Sequence, residues 1–339
     1  MGHPYSAATF AFKEGEKMMR KFLTSGAVIA AALWAVSAGA QEVPMRAVSF
    51  IPKNHPVMVQ ANVWVNMINE ALPGKLKINF VGGSEVIGRY QQQNALRTGV
   101  IDMTLSTTAD FQDELPEVST FTLSKLGPAE ERKSGFYDTM VQSFGKMNAR
   151  YIGRMQYGGF YMWTKKKPEK LADLQGLKMR TGSLYDKMMR ELGMVPVTIN
   201  QPETYTALEG GTVDGLAWPV FGVRSIGWTR HVKYVIDLPF YGASNVIALM
   251  NLDKWKKLPG DVQKAILDTT ADFEPKMVKY FQDEEQKEWK ELDKVVTRVK
   301  FSEPDNRKYL DTAYEVEWAA IAKRVSPEML ARVKKASGN

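Results

Sequence analysis

The chain has no cysteine and only three histidines in 339 residues. The first absence excludes disulfides, thiolate catalysis and cysteine-ligated zinc or iron–sulfur clusters. His3, His55 and His231 lie far apart in sequence, which argues against a histidine-rich metal site. No metal and no cofactor is expected. There is no G-x-S-x-G elbow, no Walker loop, no G-x-G-x-x-G after a strand and no H-E-x-x-H. Asp and Glu are abundant, but nothing singles out a catalytic pair. These absences together favour binding over catalysis. The sequence also lacks a Lys/Arg stripe interleaved with aromatics, so its net charge of +7 does not point to nucleic acid. What remains is globular composition, 44% hydrophobic and 24% charged, at a length that suits two domains. The 18 Met and 8 Trp point to large apolar contact surfaces.

The N-terminus reads as a leader. Arg20-Lys21 precede an apolar stretch from Phe22 to Val36, and Ala38-Gly39-Ala40 follows. A basic start, a short apolar run and an A-x-A site are the marks of a secretory signal peptide. A transmembrane anchor is the weaker reading, because Thr24, Ser25 and Gly26 interrupt a run already short for a span. Met18 or Met19 is the better start, with residues 1–17 an upstream extension. Cleavage after Ala40 leaves 299 residues and removes two of the seven net positive charges, so the mature chain carries +5. The expected product is a soluble protein exported to the periplasm.

The mature chain opens as α/β. Met45–Ile51 reads as a strand, and Val57, Ala61, Trp64, Ile68 and Leu72 recur at helical spacing. Leu76, Ile78 and Phe80 alternate as a strand, Tyr90–Thr98 is a helix, and Val100–Ser106 a third strand. This is the pattern of a parallel sheet. It returns with strands at 176–180, 195–199 and 213–217 and helices at 184–192 and 202–209. One segment nearly repeats: Ala95-Leu96 to Ile101-Asp102 matches Ala207-Leu208 to Val213-Asp214 as A-L-x-x-G-x-(Ile/Val)-Asp. Each reads as a helix end, a left-handed Gly cap and a buried strand, and the pair fits two similar lobes. From Pro259 the chain turns helical and charged: 261–294 with Pro275 as a kink, a short strand within 295–301, and closing helices at 305–324 and 327–336. The run Asp283 to Glu288 reads as a solvated helix face.

Residues 164–219 carry the most specific signal. They contain Asp173-Leu174-Gln175-Gly176-Leu177-Lys178-Met179-Arg180, then Leu192-Gly193-Met194-Val195-Pro196, then Glu203-Thr204-Tyr205-Thr206-Ala207-Leu208 running to Val213-Asp214-Gly215. This ordered series resembles the solute-binding proteins of tripartite ATP-independent periplasmic (TRAP) transporters, the DctP type. Their pattern is D-L-x-G-L-K-hydrophobic-R, L-G-x-x-P and E-x-Y-x-A-L-x-x-G-x-V-D-G. The N-terminal half, from Phe80 through Gly88 to Asp102-Met103, is also similar to that family, and the likeness spans about 44–335. The resemblance implies an α/β, two-lobed periplasmic binding protein fold, a ligand cleft between lobes and a long bracing helix. The lobes would be 41–157 with about 249–285, and 158–248 with about 286–339.

By the same resemblance, Arg180 is the clamp for a ligand carboxylate, a task its planar guanidinium suits. Two departures matter. Many acid-sugar binders of the family carry a second Arg twenty positions earlier, where this chain has Phe160. Many have Asn before the Pro that follows the V-D-G strand, where this chain has Trp218. Each sugar hydroxyl left unpaired against such walls would cost about 1–3 kcal/mol, whereas an apolar body gains from burial on aromatic faces. The expected ligand is therefore a monocarboxylate with an aromatic or apolar body, a 2-oxo or 2-hydroxy acid among them. Thr107 and Thr108 after the third strand, Ser183 and Gln201 beside Arg180, Tyr241, Ser244 and Asn245 on the return path, and Phe50 at the end of the first strand complete the candidate contacts.

The resulting expectation is a monomeric, non-catalytic subunit that delivers a small organic acid to the small and large subunits of a membrane permease. The rivals are a ligand-presenting subunit for a sensor kinase, a periplasmic Asp/Glu-dependent enzyme acting on a small acid, and the binding protein of an ATP-driven importer.

Overall fold

A computed structural model describes residues 42–242 and 246–339. The leader read at 1–40, and Ser244 and Asn245, lie outside the described residues. The strands are β1 (Val43–Ser49), β2 (Leu76–Gly82), β3 (Met103–Thr107), β4 (Ala149–Arg154), β5 (Phe160–Thr164), β6 (Lys178–Thr181), β7 (Val195–Thr198), β8 (Gly215–Pro219), β9 (Tyr234–Ile236), β10 (Val246–Asn251) and β11 (Thr297–Val299). They form two sheets among the described residues, of order β2-β1-β3-β10-β4 and β11-β9-β5-β8-β6-β7. The fold is mixed α/β and two-lobed, as the resemblance implied.

The sheets are not purely parallel. β1 pairs with β3, and β6 with β7 and β8, in parallel. However, β10 runs antiparallel to β3 and β4, and β5 antiparallel to β8 and β9. The chain crosses from the first sheet to the second between β4 and β5 and returns between β9 and β10. These crossing strands enter from the opposite end, so they reverse the local direction.

The sequence repeat has a shared structural job. The helices α1 (Val59–Ala71) and α2 (Gln92–Thr98) follow β1 and β2, while α3 (Asp186–Glu191) and α4 (Thr204–Glu209) follow β6 and β7. After α2 the chain turns at left-handed Gly99 (φ 76°), and after α4 at left-handed Gly211 (φ 73°). Asp102 then donates its N–H to the Arg46 carbonyl at 3.0 Å and accepts the Arg46 N–H on its carboxylate at 2.7 Å. Asp214 does the same to Lys178, at 2.7 and 2.9 Å. Each aspartate therefore pins the start of its own strand to the first parallel strand of its sheet. The two or three residues needed to leave the cap explain why β3 and β8 begin later than the hydrophobic pattern indicates. Gly215 opens β8 because a Cβ there would stand 2.1 Å from the Trp163 carbonyl oxygen on β5. Pro196 is tolerated because β7 is an edge strand.

A single helix, α5 (Gly260–Leu292), runs past both sheets. Its 33 residues span about 50 Å. Thr270 on its first half accepts the Trp64 indole N–H at 2.9 Å. Glu274 accepts from Arg132 Nε at 2.6 Å and from the Arg154 backbone N–H at 3.0 Å. On the second half, Glu285 accepts the Tyr161 hydroxyl at 2.9 Å and Trp289 stacks on Trp163, 5.9 Å between centroids. Pro275 stands where the partners change from the first sheet to the second, inside a helix that remains continuous through it. The helices α6 (Glu303–Ala322) and α7 (Pro327–Ala336) close the chain. No helix among the described residues is long and apolar enough to cross a membrane.

Candidate functional site

One cavity lies between the sheets at the ends of their strands. It has about 480 Å³ of empty space, counting its open mouth. The first sheet contributes Phe50, Val57, Arg89, Thr107, Ala109, Gln156 and Val246 to its wall, and the second contributes Phe160, Arg180, Gly182, Leu184, Tyr185, Gln201, Trp218 and Pro219. These residues cluster at the carboxyl ends of β1, β3, β6 and β8 and at the starts of the antiparallel β5 and β10. Crevices outside the carboxyl ends of strands are where open α/β sheets bind ligands.

Arg180 is the third residue of β6, between β8 and β7, and only 1% exposed. Its Nε donates to the Ile199 carbonyl at 2.9 Å, and its guanidinium carbon lies 5.2 Å from the Trp218 ring centre. The Tyr185 hydroxyl donates to the Ala217 carbonyl at 2.6 Å, and its oxygen accepts from Arg180. All these neighbours are neutral. Burial pulls the Arg180 pKa below the ordinary arginine range, and the nearby Arg89 adds to this. A guanidinium stays protonated in proteins, so the group is a cation.

The other buried arginines differ. Arg154, fully buried, is held by both carboxylate oxygens of Glu131 at 2.8 and 2.5 Å. Arg89 sits 2.7 Å from Asp110; burial pulls its pKa down, but the charge and hydrogen bonds of Asp110 with nearby tyrosines together raise it. Of the three buried arginines among the described residues, Arg180 alone has no carboxylate partner. An uncompensated buried cation costs several kcal/mol, so the position is primed for an anion.

The aromatic walls stand beside that cation. Trp218 is 7% exposed, and its indole N–H is committed to the Phe221 carbonyl at 3.0 Å, so it offers the cavity a ring rather than a donor. Its far edge packs on Trp228 and His55. Phe160 packs on Tyr185 and Phe240 while lining the cavity. Both aromatics are thus packed and cavity-lining at once.

Phe50, Thr107, Gln201, Phe160, Trp218 and Arg180 are brought together at one cavity. Three expected contacts are not on its wall. Thr108 is buried at the start of the turn after β3. Ser183 adopts a left-handed backbone (φ 68°), and its Oγ donates to the Gly182 carbonyl at 2.6 Å. Tyr241 is fully buried, bridged to Phe160 through the backbone, with its hydroxyl on the Ala313 carbonyl of α6. Arg89, Gln156, Tyr185 and Leu184 line the cavity and were not anticipated. Arg89 was within reach of sequence reasoning: it follows Gly88 in a strand-to-helix loop, which belongs at the carboxyl edge of a sheet. No cluster of three or more His, Asp or Glu able to hold a metal occurs among the described residues.

Two sheets, a cleft at their strand ends and a bracing helix define a two-lobed α/β solute-binding protein. The model of the bacterial extracellular solute-binding protein family 7, DctP, matches residues 47–324, and the chain belongs to that family. A monocarboxylate 2-oxoacid-binding periplasmic protein of Nostoc sp. is 23% identical over 250 residues, covering 70% of this chain and 68% of that protein. A TRAP periplasmic solute-binding protein of Desulfovibrio salexigens, solved with bound orotic acid, superposes with a TM-score of 0.77 at 20% identity, covering 88% of this chain and 99% of the other. DctP7 of Bordetella pertussis, an extracytoplasmic solute receptor binding pyroglutamic acid, gives 0.75 at 17% identity, covering 88% and 100%.

Proposed function

We propose that the chain is the exported receptor of a TRAP-type transporter, and that it captures a small organic monocarboxylate with an aromatic or otherwise apolar body. The observation that carries this reading is the buried Arg180 cation without a carboxylate partner, facing a cavity walled by Phe160, Trp218, Leu184 and Val57. The ligand carboxylate pairs with Arg180, and its body lies against the rings. Thr107 and Gln201 supply polar contacts at the rim of that body. Three of the relatives fit this class of ligand: 2-oxoacids, orotic acid and pyroglutamic acid are small acids with one carboxylate.

In this reading the leader is cleaved after about Ala40, the mature protein is a periplasmic monomer, and closure of the lobes around the acid presents it to the small and large permease subunits. The lobes divide as 41–157 with about 249–285 and 158–248 with about 286–339. Sheet membership supports this division except at Val246–Ala248, which hydrogen-bond within the first sheet. Calorimetry on Arg180→Lys tests the clamp. Lysine keeps the charge and loses the planar fork, so affinity for branched or aromatic 2-oxo acids should fall about ten- to one-hundredfold. Affinity near that of the parent would remove Arg180 from the role.

A further inference from the structure

Resting on the reading that Arg180 takes the ligand carboxylate, we propose that Asp110 sets the charge of the acid this cleft accepts and restricts it to monoanions. Two guanidinium groups, Arg180 and Arg89, are the charged side chains on the cavity wall among the described residues. Asp110 is not on the wall. It stands behind Arg89, with a side chain only 4% exposed. Arg89 Nε donates to both its oxygens, at 2.8 and 3.2 Å, and Nη2 lies 2.7 Å from Oδ1. The Ser106 hydroxyl donates to Oδ2 at 2.9 Å. Asp110 is thus fixed by first-sheet elements: Ser106 on β3, Asp110 in the turn that follows it, and Arg89 in the loop before α2.

The charges at the cleft sum to one uncompensated positive charge. One carboxylate on Arg180 balances it. A second carboxylate would leave a net negative charge in a water-poor cleft, where unpaired charge is expensive. Arg89 is not idle. Its Nη1 would lie 3.3 Å from a Cβ at Gly182, so the glycine keeps open the space in front of an N–H that Asp110 does not use. That donor suits a neutral acceptor on the ligand, such as a 2-oxo, hydroxyl or ring carbonyl oxygen. Asp110 is a positioning residue, acting through Arg89 and through the charge balance.

Calorimetry with 4-methyl-2-oxopentanoate and 2-oxoglutarate tests this, since both probes are 2-oxo acids and they differ in charge. The wild type should prefer the monoanion. Asp110→Asn raises the local charge by one and should shift the affinity ratio at least about tenfold toward the dianion. Arg89→Gln leaves Arg180 opposite Asp110 and should weaken both acids. The double variant Arg89→Gln/Asp110→Asn restores the single positive charge and should restore the monoanion preference, an outcome that a merely structural role for the pair does not produce. An unchanged ratio in a folded Asp110→Asn protein, or a double variant that behaves like Arg89→Gln, overturns the proposal. Wild-type protein that binds neither probe, or Arg180→Lys that binds as tightly as the parent, overturns the Arg180 reading and this proposal with it.

Discussion

Arg180 and Arg154 are both buried arginines, and the same substitution should cost far less at the first than at the second. At Arg180, methionine removes a cation whose desolvation costs several kcal/mol and has no carboxylate to offset it. The losses are two charged hydrogen bonds, to the Ile199 carbonyl and the Tyr185 hydroxyl oxygen, about 1.5–3 kcal/mol each, and a cation–π contact with Trp218, about 0.5–2 kcal/mol. The two sides roughly cancel, leaving the unliganded protein within about 2 kcal/mol of the parent. At Arg154, methionine strands Glu131 in the core without its two hydrogen bonds, which should cost about 3–5 kcal/mol. In a chain of this size about 2 °C follows each kcal/mol. Thermal unfolding without ligand should therefore stay within about 4 °C of the parent for Arg180→Met and fall by about 6–10 °C for Arg154→Met. The small change in stability at Arg180 should come with loss of ligand binding, as expected of a residue kept for function. Comparable destabilisation by both substitutions would mean that Arg180 is satisfied within the protein, and would refute the reasoning.

Burial holds His55 at a pKa of about 4, so the folded chain keeps it neutral while the unfolded chain takes up a proton below pH 6.5. Its contribution is present above pH 6.5 and is lost as the pH falls toward 4, by up to about 3 kcal/mol. His55→Asn can still accept the Val57 N–H and should flatten urea stability over that window; an unchanged slope would exclude His55 as the source. Trp218→Ala should weaken aromatic and branched acids about ten- to one-hundredfold while leaving pyruvate little changed in calorimetry, because the lost contact is with the ligand body. Equal losses for both acids would show that Trp218 acts on Arg180 instead.

Much of the fold was legible because local signals agreed. The buried face of α1 around Trp64, the Gly99 and Gly211 caps and the Asp102 and Asp214 repeat all follow from residues close in sequence. The strands β5 and β10 are wholly buried, as are β3 and β8, but unlike those two they follow no Gly-capped helix end that marks a strand start. Their antiparallel partners lie far along the chain, so no local pattern marks them. At the site, Arg180, Trp218 and Phe160 could be named from motif register. Tyr185 reaches the cavity from the loop after β6 through a hydrogen bond to the Ala217 carbonyl, a contact between distant strands. The compensation of Arg89 by Asp110 is likewise a three-dimensional fact: many sequence positions could have supplied that carboxylate. Tyr241 lies off the cavity wall for a similar reason, because its hydroxyl is taken by α6, 72 residues away at Ala313.

The most direct measurement is the crystal structure of the protein with the acid that co-purifies with it, together with the mass of that acid. The account predicts a singly charged carboxylate with both oxygens on the Arg180 guanidinium and an apolar or ring-shaped body against Trp218 and Phe160. A dicarboxylate or sugar acid in the cleft, or an acid bound with Arg180 untouched, would contradict it.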